Sequence, residues 1–192
     1  MNNDYSKRRK AKMSIYIETE RLILREFTLN DVEELHSICS QSYILKWMPD
    51  WERTVEERKE WISWVQNNYL KATKDVARIM IAVTLKSNKQ LIGMVGIGNK
   101  EEVNNEIEIA YFISENYSNK GYISEASRAV TEWAFTNLKL DYLIAIVETD
   151  NIPSQRVVEK CGFTKVNTKM ILNSGDIEEK PFYYYRIYNK IH

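Results

Sequence analysis

The spacing of apolar and polar positions changes several times along the chain, and each change marks an element. From Ile15 to Phe27, "IYIETERLILREF", apolar Leu22 and Leu24 alternate with Arg21 and Arg25, the two-residue period of a half-buried strand. Asn30 and Glu33 then have the spacing of a helix-capping pair, and Val32, Leu35, Ile38 and Cys39 follow at helical steps. Thr54 and Glu57 repeat the device ahead of a stripe of Val55, Ile62, Val65 and Tyr69. Residues 78–86 and 90–98 are apolar, partly β-branched runs around the polar turn "SNK", which predicts an antiparallel hairpin. The stretch 105–113, "NEIEIAYFI", predicts a strand with Ile107, Ile109, Tyr111 and Ile113 on one face and Glu106, Glu108, Ala110 and Phe112 on the other.

In the second half, Ile123, Ala126, Val130 and Trp133 recur at steps of three or four, giving an amphipathic helix to about Leu138. "YLIAIVE", residues 142–148, is short and β-branched; a helical crossover makes it a buried strand parallel to the one before. "TDNIPSQRVVEKCGF" reads as a short helix with Asp150 or Asn151 at its cap, Pro153 in its first turn, Lys160 near its end and Gly162 just beyond. Strands near 163–172 and 181–188 complete an α+β domain whose sheet is antiparallel at first and parallel in the middle.

Composition narrows the picture. With 192 residues, 44% apolar and 28% charged, the chain suits one globular domain, expected over residues 15–192. Lys+Arg and Asp+Glu tie at 27 each, so no global field favours nucleic acid or a membrane surface. The two cysteines, Cys39 and Cys161, have no metal-ligand spacing, and no signal sequence or long apolar run is present. A reduced, cytoplasmic setting is expected. Residues 1–14 carry Lys7, Arg8, Arg9, Lys10 and Lys12 with little to bury, and are expected to be a disordered basic tail.

Candidate chemistry begins at "SENYSNKGYISEA", where a polar loop with Gly121 opens onto the long helix. A helix start carries unpaired N–H groups and about half a positive charge, so such a loop suits a phosphate, although ordinary helix entry explains it as well. Gly93, Gly96 and Gly98 in "GMVGIGNK" are in the wrong order for a dinucleotide loop, and a strand follows them; close backbone packing accounts for them. No P-loop motif occurs. A thiol–imidazole pair of Cys161 and His36 is set aside, because Cys161 stands at a helix end beside Phe163, where cysteine packs as a small hydrophobe.

The opening "ETERLILREFTLNDVEEL", the strand "EIEIAYFI", the loop-helix "NYSNKGYISEA" and the late "NIPSQRVVEKCGF" together resemble the GCN5-related N-acetyltransferases, in particular the branch of ribosomal-protein N-terminal acetylases. The resemblance spans about residues 16–189. It implies a mixed central sheet whose parallel central pair splays apart, with helices on both sides. It also implies acetyl-CoA as acetyl donor, its pyrophosphate held by the loop Ser118, Asn119, Lys120, Gly121, Tyr122, Ile123 and Ser124. The family's loop commonly reads Arg/Gln-x-x-Gly-x-Gly/Ala; here Ser118 and Ile123 stand at the outer positions and Gly121 is retained.

By the same resemblance, main-chain groups at Tyr111, Phe112 and Ile113 bond the pantetheine arm and polarise the acetyl carbonyl. Asn151 bonds the pantetheine, with helix capping as its other reading, and Ser154 lies near the thioester sulfur. Acetyl transfer to an amine needs a neutral amine, donors for the developing oxyanion and a proton for the departing thiolate. Glu108 fits the position of a general base better than Glu106, and Ser154 that of a general acid. Trp47 and Trp51 fall in a wall of the acceptor cleft, where core packing is the competing explanation.

The expected protein is thus a cytoplasmic, acetyl-CoA-dependent N-acetyltransferase without a metal. It acetylates a primary amine, a peptide N-terminus or a small molecule, by direct transfer in a ternary complex. A homodimer is among the assemblies open to it. The competing expectations are a noncatalytic acyl-CoA sensor and a ribosome-associated module using the basic tail.

Overall fold

In a computed structural model, residues 14–73, 75, 77–173 and 176–190 are described; the expected basic tail lies outside them apart from Ser14. One eight-stranded sheet has the order β1-β2-β3-β4-β5-β6-β8-β7. Its strands are β1 (Tyr16–Glu18), β2 (Leu22–Glu26), β3 (Arg78–Leu85), β4 (Leu91–Lys100), β5 (Glu106–Ile113), β6 (Tyr142–Glu148), β7 (Thr164–Ile171) and β8 (Lys180–Tyr188). Every neighbouring pair is antiparallel except β5 and β6. The helices are α1 (Val32–Cys39), α2 (Ser42–Leu45), α3 (Val55–Asn68), α4 (Tyr122–Leu138) and α5 (Ile152–Lys160). As expected, α4 is the crossover that makes β6 run parallel to β5.

Two expectations need correction. The single strand over 15–27 is a hairpin: the Thr19 amide donates to the Leu22 carbonyl and the Thr19 hydroxyl oxygen accepts from the Leu22 amide, turning the chain so that β1 pairs with β2. The first cap is not Asn30 with Glu33. The Asp31 carboxylate accepts from the Thr28 amide at 2.7 Å and the Thr28 hydroxyl at 3.0 Å, starting a 3-10 turn that runs into α1. Arg25 adds a bidentate pair to Asp31 at 2.8 and 2.6 Å, which is why an acid is tolerated at 4% exposure. Residues 42–51, to which the sequence pattern assigned no element, fold as α2 and a 3-10 turn at Pro49–Trp51, both too short to carry a readable period.

Thr54 and Glu57 do form the predicted capping box on α3, and Asn151 is the residue that caps α5. Gly93 of β4 serves close approach of backbone. A Cβ on Gly93 would stand 2.4 Å from the Phe112 carbonyl oxygen, so β4 and β5 tolerate no side chain there. Successive residues of β5 point to opposite faces. Tyr111 meets Ser154 of α5, whereas Phe112 meets Trp51 at 5.0 Å between ring centroids; α5 and the 42–51 segment therefore cover opposite sides of the sheet. Among the described residues no helix is long and apolar enough to cross a membrane, and no group of three or more His, Cys, Asp and Glu is placed to hold a metal.

Candidate active site

Strand pairing lapses at the centre of the sheet. β5 pairs with β4 along its whole length and β6 does so with β8, yet the main-chain pairing of β5 with β6 is confined to Glu108 and Ile144. Beyond that pair the strands part, leaving the β6-facing edge of Tyr111, Phe112 and Ile113 without a neighbouring strand. Main-chain donors and acceptors on such an edge require partners, a need that an extended, amide-bearing ligand would meet. A cavity of about 480 Å³ fills the opening and reaches from Gly121 and Ser124 past Ser154 to Trp47 and Trp51.

At one mouth stands the polar loop. Asn119 and Gly121 adopt left-handed conformations, φ 58° and 80°, and Gly121 forms the N-cap of α4 without any side-chain cap. The amides of the first turn are thus left for another acceptor, at the positive end of a 17-residue helix. Ser118, Asn119, Gly121, Ile123 and Ser124 line the cavity, and Ile123 also packs into the core. Lys120 does not: its Nζ donates to the Asn116 carbonyl at 2.8 Å and lies over the Tyr117 ring. Tyr122 likewise turns away, beneath the Arg21 guanidinium. These features fit a diphosphate bound by main chain rather than by a lysine.

In the middle, Asn151 accepts from the Ser154 amide at 3.2 Å and also lines the cavity, so its capping and ligand-facing readings coexist. Ser154 Oγ lies 2.8 Å from the Tyr111 hydroxyl. Strand alternation reveals the face Tyr111 occupies but not this contact, which the sequence reading missed.

Two strand glutamates have different fates. Glu106 accepts from the Tyr142 hydroxyl at 2.8 Å, the Tyr184 hydroxyl at 2.9 Å and Arg186 at 2.8 Å, and lies outside the cavity lining. Glu108 faces the cavity with a long 3.4 Å bond from the Ile146 amide. Burial pushes its carboxyl up to about 7, against the opposing pull of Lys100 and that amide. Glu148, which the sequence reading passed over, joins Glu108 on the lining, and burial raises its carboxyl too. Trp51 packs edge-on to Phe112 and to Trp61 while lining the cleft; Trp47 lines it with Lys46 over its ring. Both cysteines are buried, and burial lifts their thiols to about 12 for Cys39 and about 11 for Cys161, which leaves neither as a nucleophile.

A helix N-terminus facing a lapse between parallel strands suits an extended ligand with an anionic end, and comparison with known proteins supplies its class. Residues 21–164 match the family described as the acetyltransferase (GNAT) domain. The chain is 32% identical over 151 residues to the uncharacterized N-acetyltransferase YnaD of Bacillus subtilis, covering 79% of this chain and 84% of that one. A GNAT-family acetyltransferase of Bacillus anthracis has a similar crystal structure, with a TM-score of 0.74 and 30% identity over 91% of this chain and 98% of that one. The fold is also that of the ribosomal L7/L12 alpha-N-protein acetyltransferase solved with coenzyme A (TM-score 0.76, 15% identity, 91% and 98% covered). The chain belongs to the GNAT acetyltransferase family.

Proposed function

We propose that this acetyltransferase moves an acetyl group from acetyl-CoA directly onto a primary amine, with both substrates bound at once. One observation carries the reading: a single cavity joins the uncapped start of α4, the free edge of β5, Ser154 and the perturbed carboxyl of Glu108. Acetyl-CoA supplies the activated acyl group, and the residues of the chain do the rest.

In this reading, the main chain from Ser118 to Ser124 holds the diphosphate, with Asn119 and Ser124 able to add side-chain donors. Lys120 and Tyr122 contribute backbone only, since their side chains are engaged elsewhere. The edge of β5 at Tyr111, Phe112 and Ile113 aligns the pantetheine and offers an N–H to the acetyl oxygen as it gains charge. Asn151 steadies the arm from the other side. Glu108, ionised in part near neutrality, takes a proton from the amine through water. The Ser154 hydroxyl gives one to the departing thiolate.

Trp47 and Trp51 flank the acceptor end of the cleft. A peptide N-terminus is favoured by the shared fold with a ribosomal-protein alpha-N-acetyltransferase, and a small-molecule amine fits the same chemistry. The test is a thiol-release screen of acetyl-CoA against N-terminal peptides and small amines. Acetylation of at least one amine, abolished by omitting it, is the expected result. Coenzyme A binding with no turnover across the screen would point instead to a sensor.

A further inference from the structure

Glu125 stands in the first turn of α4, where a bare carboxylate would weaken the positive helix end. It is not bare. Its Oε1 accepts from the Thr19 hydroxyl at 2.6 Å and the Arg21 amide at 2.9 Å, and its Oε2 from Arg21 Nε at 2.7 Å. Burial by itself would raise this carboxyl, but these donors outweigh it and hold the group below the ordinary glutamate range.

The same guanidinium reaches the loop. Its Nη1 donates to the Lys120 carbonyl at 3.0 Å, and its Cζ lies 4.4 Å from the Tyr122 ring centroid. A Cβ on Gly121 would meet its Nη2 at 3.4 Å. Arg21 thus grips the residues before and after Gly121 as well as the first-turn acid. Because a peptide unit is planar, fixing the Lys120 carbonyl also fixes the Gly121 N–H at the other end of the same unit.

We propose that Arg21, in the turn between β1 and β2, is a positioning residue for the cofactor loop: it sets the loop's amides and neutralises Glu125, so that the α4 terminus meets the diphosphate unopposed. This rests on assigning the loop to acetyl-CoA. Arg21 itself does not line the cavity, so it acts on the loop.

Calorimetric titration of the full chain with coenzyme A tests it, alongside steady-state kinetics. Arg21→Ala is expected to raise the coenzyme A Kd and the acetyl-CoA KM about five- to tenfold, with the acceptor KM unmoved. Glu125→Ala should do the same, and the double variant no more than either single change. Arg21→Lys keeps stem and charge but not the fork; it should stay near the alanine value, and it replaces Arg21→Ala if that variant does not fold. Arg78→Ala, which breaks an exposed pair with Glu101 outside the loop, should bind as wild type. Native affinity in both Arg21 variants, or additive losses in the double variant, overturns the clasp while leaving the loop assignment in place. A wild-type chain that ignores coenzyme A overturns the loop assignment and the clasp with it.

Discussion

The Tyr111 hydroxyl lies 2.8 Å from Ser154 Oγ and 3.0 Å from the Ser154 carbonyl oxygen, so one phenol faces two oxygens of the same residue. Its single proton can serve only one of them. Given to the carbonyl, it leaves Ser154 to spend its own proton on the phenol; given to Oγ, it frees the serine proton for a thiolate. Burial raises the phenol's pKa, so Tyr111 stays protonated and able to donate through the neutral range. Ser154→Ala is expected to lower kcat about 10²-fold with coenzyme A affinity preserved, the scale of one lost proton donor. Tyr111→Phe should cost roughly five- to tenfold alone and nothing further in the Ser154→Ala background. Single-turnover rates for the four proteins check this; additive losses would separate the two residues.

Glu108 predicts a pH dependence. Below about 7 its carboxyl is increasingly protonated and cannot accept a proton, so kcat/KM should rise with pH through that value. Glu108→Gln should lower kcat/KM about 10²-fold near pH 8 and erase this limb, leaving only the one set by the acceptor amine. A pH–rate profile of both proteins is the measurement. An unchanged limb would assign it to another group, Glu148 being the next raised carboxyl on the lining.

Gly121 has φ 80°, which disfavours side chains and most strongly β-branched ones, and its Cβ direction points at Arg21. Gly121→Val is expected to weaken coenzyme A binding by about tenfold or more through displacement of the loop amides. Calorimetry finding native affinity would detach the loop from the ligand.

Stability should depend on the Arg25–Asp31 pair. Asp31→Ala strands a half-buried guanidinium and removes the Thr28 cap, costing about 2–4 kcal/mol by urea unfolding. Burial would raise the Asp31 carboxyl, but Arg25 and Thr28 hold it below its usual range. Its folded pKa is depressed, so the contribution is present above the unfolded value near 4 and fades as pH falls through the folded one. A chain equally stable without Asp31 at pH 7 would refute this.

Much of the architecture was legible from period alone. Long, strongly patterned segments such as α4, the β3–β4 hairpin and β5 lie where their sequence places them, because one face of each is buried against the core. Segments decided by a few local bonds were not. The β1–β2 turn depends on Thr19 and Leu22, and the start of α1 on Asp31 rather than Asn30, a choice made by the distant pairing with Arg25. The site divides similarly. Gly121, Asn151, Ser154, Glu108 and Trp51, which the family resemblance singled out, line one cavity, but contacts between remote side chains, Tyr111 with Ser154 and Arg21 with Glu125, leave no local pattern to read.

With main-chain pairing reduced to Glu108 and Ile144, the sheet also divides into a five-stranded piece and a three-stranded piece, joined across the seam by that pair and by side-chain bonds from Glu106 and Glu108. A guest that bonds main chain of both pieces would act as a lace, and its affinity would reappear as resistance to unfolding. The enzyme would then be least rigid when empty, and each product departure would loosen the seam for the next occupant.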